Sequence, residues 1–299
     1  MQTHLISAIC TPLKDDDSLH VDGLAAHLDD QWRHGISGVL IGGTMGLMQL
    51  LDDSTYRDLV RHGVQLAHGR GEVFVGAGDT SFNRTLQRIQ YVEQFDVDGI
   101  VVLAPFFYTL GQTDLIAYFQ GLADRSRKPL YLYDLPGATK TKLQLKTVLE
   151  LSKHPNIRGI KCSGEWSETW RLMNCVDTKF RVIPAQPNMV DLLMRCGVRN
   201  NLDGVFAVVP DLATSIIDAA NRNDYQLAAA RQQRLSDFLQ LIVSKYPLFP
   251  ACSAILNARG IPGKVHPSPM KSLESGQSEQ LFNEPLVREL LDNPSISAS

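Results

Sequence analysis

The chain has 299 residues, 44% of them apolar, and its 29 basic and 32 acidic side chains leave a formal charge of only -3. That length can bury a large core, and no Lys/Arg cluster offers the basic stripe that nucleic-acid binding needs. No run approaches the roughly 18 uninterrupted apolar residues of a membrane span, and the opening Met1-Gln2-Thr3-His4 lacks the basic and apolar stretches of a secretory signal. A cytoplasmic protein without a nucleic-acid or membrane partner is expected.

Short apolar runs alternate with stretches of helical period along most of the chain. The predicted strands are 5–12, 38–43, 72–78, 99–105, 129–136, 157–164, 181–186 and 204–210. Helical patterns follow each, at 21–35, 52–69, 81–95, 114–127, 143–154, 165–177, 188–197 and 211–223. Asp52-Asp53 and Thr113-Asp114 suit helix starts, and Gly35, Gly69 and Gly197 suit helix ends. Eight such βα units favour an α/β fold, a closed (β/α)8 TIM barrel, over an open doubly wound sheet. Two more helical patterns (225–246 and 248–259), a Pro/Ser/Gly-rich loop (260–277) and a last helix (279–292) complete the chain. The expected division is a barrel carrying the active site over 1–224 and a C-terminal helical extension over 225–299.

The fifth and sixth predicted strands carry the most informative residues. Pro129-Leu130-Tyr131-Leu132-Tyr133-Asp134-Leu135-Pro136 and Ile157-Arg158-Gly159-Ile160-Lys161-Cys162-Ser163-Gly164 both read as buried, so Lys161 brings an amine into an apolar setting. Such a lysine snorkels to the surface, pairs with an acid, or serves as a nucleophile. By alternation Lys161 shares a face with Gly159 and Ile157, Gly159 is expected to leave open volume beneath it, and Cys162 faces the other way. In a barrel, catalytic groups sit where strands end, which makes Tyr133 and Lys161 spatial neighbours. A Schiff-base amine must be unprotonated part of the time, so an ordinary pKa of about 10.4 has to fall toward neutrality, roughly 4 kcal/mol of differential solvation. A neighbouring phenol suits the proton transfers of imine chemistry.

The turn after strand two, Leu40-Ile41-Gly42-Gly43-Thr44-Met45-Gly46-Leu47, can converge backbone amides on an anion such as a carboxylate. It is neither a P-loop nor a dinucleotide fingerprint, and by itself it is a weak signal, with simple strand-to-helix geometry as the alternative.

Taken together, Gly42 to Gly46, Tyr133-x-x-Pro136 and Gly159-Ile160-Lys161, with Ala104-Pro105-Phe106-Phe107-Tyr108 after strand four, resemble the dihydrodipicolinate synthase / N-acetylneuraminate lyase family over nearly the whole chain. The resemblance implies a class I Schiff-base aldolase or lyase on a (β/α)8 barrel, usually a homotetramer, acting on pyruvate or a related 2-oxo acid. Carried over by position, Lys161 is the Schiff-base lysine and Tyr133 the proton-shuttling phenol. The amides of Thr44 and Met45, with the Thr44 hydroxyl, hold the substrate carboxylate. Phe206 matches the position whose carbonyl lies near the pyruvate unit, and Ser163, two after the lysine, faces the same pocket.

Departures from the family pattern narrow the activity. Met45 stands where the family commonly has a second Thr or Ser, and the turn ends in Gly46-Leu47 rather than Gly-Glu. The synthase's relay tyrosine, contributed across a subunit interface, falls on Phe107, with Tyr108 one residue later, and the arginine that grips its second substrate falls on Ala138. These argue against dihydrodipicolinate synthase activity itself. Pro187-Asn188, where sialic-acid lyases carry an acidic pair, argues against that substrate too.

Other features have plainer readings. Lys161 in a structural salt bridge and Tyr133 as a core phenol are the alternatives to catalysis. Trp166 and Trp170, at i and i+4, suit helix packing or a subunit contact. Asp15-Asp16-Asp17 reads as a solvated turn. Five scattered cysteines without a CxxC pair suggest reduced thiols, and the eight histidines show no ligand spacing.

The expectation is a Schiff-base lyase or aldolase of a small 2-oxo acid, using no metal and no organic cofactor. Its rivals are a dehydratase of a 2-oxo-3-deoxy sugar acid, a dihydrodipicolinate-synthase-like condensing enzyme, and a catalytically degenerate oligomeric 2-oxo-acid-binding protein. The aldehyde partner and the direction of reaction are set by loops that no motif fixes.

Overall fold

The computed structural model describes residues 3–292. Its strands are β1 (His4–Ala8), β2 (Gly38–Ile41), β3 (Glu72–Gly76), β4 (Gly99–Leu103), β5 (Leu130–Asp134), β6 (Ile157–Cys162), β7 (Arg181–Pro184) and β8 (Asn200–Asp203). They form one sheet in the order β7-β6-β5-β4-β3-β2-β1-β8, sequential neighbours lying side by side as in a (β/α)8 barrel. Because helices cover a parallel sheet, such strands are apolar throughout rather than alternating; β2 and β4 are buried at every position.

The helices are α1 (Val21–Arg33), α2 (Asp53–Ala67), α3 (Phe82–Val92), α4 (Gln112–Ala123), α5 (Pro136–Thr139), α6 (Leu145–Leu151), α7 (Trp166–Met173), α8 (Val190–Arg195) and α9 (Pro210–Asn221). Beyond them lie α10 (Tyr225–Lys245), α11 (Leu248–Ala258), α12 (Ser275–Asn283) and α13 (Pro285–Asp292). Asp52 caps α2 by accepting the Thr55 N–H at 2.7 Å. Helix α4 begins earlier than Thr113-Asp114 suggested, with Gly111 as its cap. Its Gln112 side chain is spent elsewhere, donating to the Lys142 carbonyl at 3.0 Å and accepting from Gln144 N and Thr147 Oγ1. The expected final helix is two, broken before Pro285, whose ring cannot continue a helical ladder.

The chain falls into two compact units. One takes in the described residues up to Gly71 and those from Pro187 onward. Here β1 pairs with both β2 and β8, and Phe206, Leu212, Ile216, Leu235, Phe238, Ile255 and Leu281 share one core. Arg259, at the end of α11, reaches Asp30 of α1 at 3.2 Å and Asp211 of α9 at 3.3 Å, all three side chains buried.

The eighth strand is not where the apolar run 204–210 placed it. Backbone pairing with β1 falls on the polar segment Asn200–Asp203. Asp203 Oδ1 then accepts the Val205 N–H at 2.9 Å and the chain coils into a 3-10 turn, Val205–Ala207. The apolar run is buried all round as turn and loop, a state that hydrophobicity alone does not separate from a strand. Phe206 therefore lies in this turn, after β8 rather than on it.

The second unit, Glu72–Gln186, holds β3 to β7. Tyr131 of β5 occupies the space that Gly99 and Gly159 leave. A Cβ on Gly159 would stand 2.3 Å from the Arg181 carbonyl oxygen and 2.8 Å from the Tyr131 ring, and one on Gly99 would stand 2.6 Å from the same ring. The open volume expected beneath Lys161 is thus filled by a phenol. Phe74 meets that ring edge-on, at 5.1 Å between centroids, and Arg181 pairs with both carboxylate oxygens of Glu72.

Candidate active site

Strand register sets the central pair. Opposite residues in β5 and β6 are Tyr133 and Lys161, followed by Asp134 and Cys162. Tyr133 and Lys161 project from one face, and Asp134 and Cys162 from the other. Lys161 Nζ donates to Tyr133 Oη at 2.8 Å and lies 4.1 Å from the centre of the Tyr133 ring. Both side chains are only 3% exposed. Among the described residues Lys161 forms no ion pair with a carboxylate, so the salt-bridge alternative has no partner. A buried amine beside a phenol can attack a carbonyl once it has lost a proton, and the phenol is placed to carry that proton.

The back of the same strands has a different chemistry. Asp134, 1% exposed, accepts the Leu143 N–H at 3.0 Å and a hydrogen bond from the Lys142 ammonium. Lys142 also pairs with Glu168 of α7 at 3.2 Å. Burial works against the Lys142 charge, but the bonds to Asp134 and Glu168 prevail and raise its pKa above the ordinary value. Burial first, then the Asp134 charge, pushes the Cys162 thiol up to about 12, so this cysteine is inert packing rather than a nucleophile.

In the other unit the glycine turn follows β2 directly. Gly42 has φ +62° and Leu47 +52°, and Thr11 Oγ1 donates to the Gly46 carbonyl at 2.7 Å, holding the turn from beneath. Thr44 and Met45 are half-buried. The Met45 side chain lies over Gly204, where a Cβ would come within 2.8 Å of it, and it packs against the core that contains the wholly buried Phe206. Ser163, half-buried, follows β6 and donates its N–H to the Asp134 carbonyl at 2.9 Å.

Phe107 and Tyr108 are each 77% exposed and stack edge to face. Phe107 adopts φ +98°, a strained value for a bulky side chain. Trp166 and Trp170 contact each other on α7 at 5.5 Å. Among the described residues no cluster of His, Cys, Asp or Glu is arranged to hold a metal ion, and no helix is long and apolar enough to cross a membrane.

A lysine and a phenol joined at the ends of adjacent strands of a parallel eight-stranded barrel form an arrangement that Schiff-base chemistry can use. Residues 1–284 match the model of the dihydrodipicolinate synthetase family. The chain belongs to this family, and hence to the class I aldolases and lyases that work through a lysine Schiff base. It is 28% identical over 261 residues to a 4-hydroxy-tetrahydrodipicolinate synthase of an Exiguobacterium species, covering 87% of this chain and 89% of that one. It is also 28% identical to the enzyme of that name from Limosilactobacillus fermentum, covering 93% and 89%. Among solved structures, dihydrodipicolinate synthase from Aquifex aeolicus superposes with a TM-score of 0.85 at 20% identity, over 97% of each chain. YagE, a prophage protein of the same family from Escherichia coli K12 solved with pyruvate, gives 0.86 at 23% identity, over 96% and 98%.

Sequence reasoning passed over Asp134, Lys142 and Glu168. The signal was present: Asp134 puts a carboxylate into an apolar run just as Lys161 puts an amine there, and a buried charge requires a partner. The partner itself was not legible, because Lys142 comes from a loop that returns to the strand end.

Proposed function

We propose that the protein forms a Schiff base between Lys161 and the keto carbon of pyruvate or a related small 2-oxo acid, and makes or breaks the adjacent carbon-carbon bond. The observation that carries this reading is the 2.8 Å contact between two buried groups, the Lys161 amine and the Tyr133 hydroxyl. The neutral amine adds to the carbonyl to give a carbinolamine, which loses water to become the imine. Tyr133 passes the protons that these steps exchange. As the hydroxyl two carbons beyond the imine carbon gives up its proton, the bond between its carbon and the neighbouring one breaks, an aldehyde leaves and the imine accepts the electron pair to become an enamine. The enamine takes up a proton at carbon, and hydrolysis of the restored imine releases the 2-oxo acid and returns the free amine.

In this reading the amides of Thr44 and Met45 and the Thr44 hydroxyl hold the substrate carboxylate, the Phe206 carbonyl lies beside the pyruvate unit, and Ser163 contacts the remainder. The lysine supplies the electron sink, so the scheme calls for no metal or organic cofactor. A tetramer or dimer is the assembly proposed, as in the family at large.

Ala138 and Phe107 separate the chain from the synthases of its family: neither a methyl group nor a phenyl ring can grip a carboxylate or relay a proton. The reaction favoured is therefore cleavage of a hydroxy-oxo acid or deoxy sugar acid, with dehydration of a 2-oxo-3-deoxy sugar acid as the variant that needs the same imine. Met45, Phe107 and Ala138 also motivate a second reading, a barrel that binds 2-oxo acids without turnover.

Borohydride reduction in the presence of pyruvate, followed by mass mapping, is expected to place a stable adduct on Lys161; no adduct there sinks the imine chemistry. A panel of hydroxy-oxo acids monitored by pyruvate release then separates lyase from binder. Thermal stabilisation by 2-oxo acids without any turnover favours the binder.

A further inference from the structure

We propose that Lys142 is a positioning residue for the Tyr133–Lys161 pair, its ammonium tying the chain that follows Tyr133 to the helix that follows Lys161. The inference rests on the reading of Lys161 as the Schiff-base lysine.

Asp134 is the residue after Tyr133 and ends β5. Its carbonyl takes the Ser163 N–H at 2.9 Å, and its carboxylate takes the Leu143 N–H and the Lys142 ammonium. Between Asp134 and Lys142 the chain makes the short helix α5 and passes through Lys140 at φ +56°. Thr139 Oγ1 lies within hydrogen-bond distance of the carbonyls of Leu135, at 3.1 Å, and Thr141, at 3.0 Å, its single proton shared between them. The Lys142 backbone is itself fixed, since its carbonyl accepts from Gln112 of α4. A loop braced at both ends thus delivers one cation to one buried carboxylate.

The same cation meets Glu168 in the first turn of α7 at 3.2 Å. A Cβ on Gly164 would lie 3.3 Å from Lys142 Nζ and 3.9 Å from Asp134 Oδ2, so the bare glycine next to Ser163 leaves the room the ammonium uses. The Gly164 carbonyl is held in turn by Gln186 Nε2 at 2.6 Å. The links on either side of the reacting pair therefore converge on Lys142, whose ammonium meets Asp134 on the face of the sheet opposite the Lys161 amine. A hydrogen bond of 2.8 Å tolerates little drift, and misplacement by about 1 Å costs on the order of a hundredfold in rate.

Beside the ammonium lies a cavity of about 170 Å3, lined by Lys142, Gln144, Cys162, Glu168, Thr169 and Arg171 among others. It has space for the larger head of Lys142→Arg, which makes that substitution a fair rescue. Lys142→Met removes the cation, and Asp134→Asn with Lys142→Met removes both charges of the buried pair, so that no buried carboxylate is left uncompensated and only the exposed Glu168 loses a partner.

The test uses the full-length chain and follows the rate of borohydride-trapped pyruvate adduct on Lys161 by mass spectrometry, alongside melting temperature. Lys142→Met and the double variant are expected to trap about 10–100-fold more slowly, with the pyruvate concentration for half-maximal rate little changed, and Lys142→Arg is expected to recover most of the rate. The double variant should melt close to the parent and still react slowly, which a purely stabilising ion pair does not predict. Should Lys142→Met fail to fold, the double variant and Glu168→Gln decide the matter. A folded double variant trapping at the parent rate overturns the positioning role while leaving the imine chemistry intact. A parent protein that gives no adduct removes the Schiff-base reading and this inference with it.

Discussion

At the scale of single residues, the proposed chemistry rests on two side chains and one hydrogen bond. Tyr133→Phe keeps the ring packed against Lys161 Nζ but deletes the hydroxyl that accepts from it. The variant is expected to fold as the parent does and to lose about 10²–10⁴ in kcat for pyruvate release, the range for removing a positioned acid-base group. A rate within threefold of the parent would show that protons travel by another route. The lysine and the phenol were readable because each polar group breaks an apolar run. Met45 was read as a departure from the family turn, and what it does instead, covering Gly204, depends on a contact across 159 positions that no local pattern announces.

At the scale of elements, β6 is held to its position by what lies beneath the amine. Gly159→Ala pushes a methyl group into the Arg181 carbonyl and the Tyr131 ring. Since backbone cannot yield as a flexible side chain does, the expected cost is about 1–3 kcal/mol, read as a lowered urea midpoint. Lys161 sits two residues on, so the trapping rate should fall as well. An unchanged midpoint would mean that both the Arg181 backbone and the Tyr131 ring give way at little cost. The strand pattern was legible for β1 to β7 because covered parallel strands are apolar on both faces. It failed at β8, where Asn200–Asp203 pairs through its backbone despite polar side chains.

At the scale of the molecule, the C-terminal extension is locked to the barrel helices by a buried ion cluster. Arg259 joins α11 to Asp30 of α1 and Asp211 of α9. Arg259→Met leaves two buried carboxylates short of their cation and is expected to cost about 3–5 kcal/mol, seen by chemical denaturation; a loss under 1 kcal/mol would mark the cluster as dispensable. Its neighbour His27 is wholly buried, with Nε2 accepting the Cys10 N–H at 3.2 Å, so the ring must stay neutral there. Burial, countered by Asp30 and aided by Arg259, lowers its pKa from 6.5 to about 4. A folded value below the unfolded one means that the stabilisation is complete above pH 6.5 and drains away as the pH falls toward 4, about 3 kcal/mol in all. His34 has the opposite sign. The Asp30 hydrogen bond raises its pKa, and its contribution is present below pH 6.5 and lost as the pH rises through the folded value. Comparing denaturation of the parent and His27→Gln between pH 7 and pH 4 isolates the first term: the parent should lose stability more steeply, and parallel curves would remove His27 from the account.

The sequence alone determined that strands and helices alternate eight times, that an amine and a phenol end neighbouring strands, and that helices follow the barrel. All of these are periodic or local properties written in the order of residues. Only the tertiary structure decided that Tyr131 fills the space above Gly159, that the eighth strand is polar and the apolar run after it a turn, and that one loop lysine bridges Asp134 and Glu168. Those outcomes depend on which distant groups share a small volume, where packing and charge pairing choose among arrangements that local propensity leaves equal.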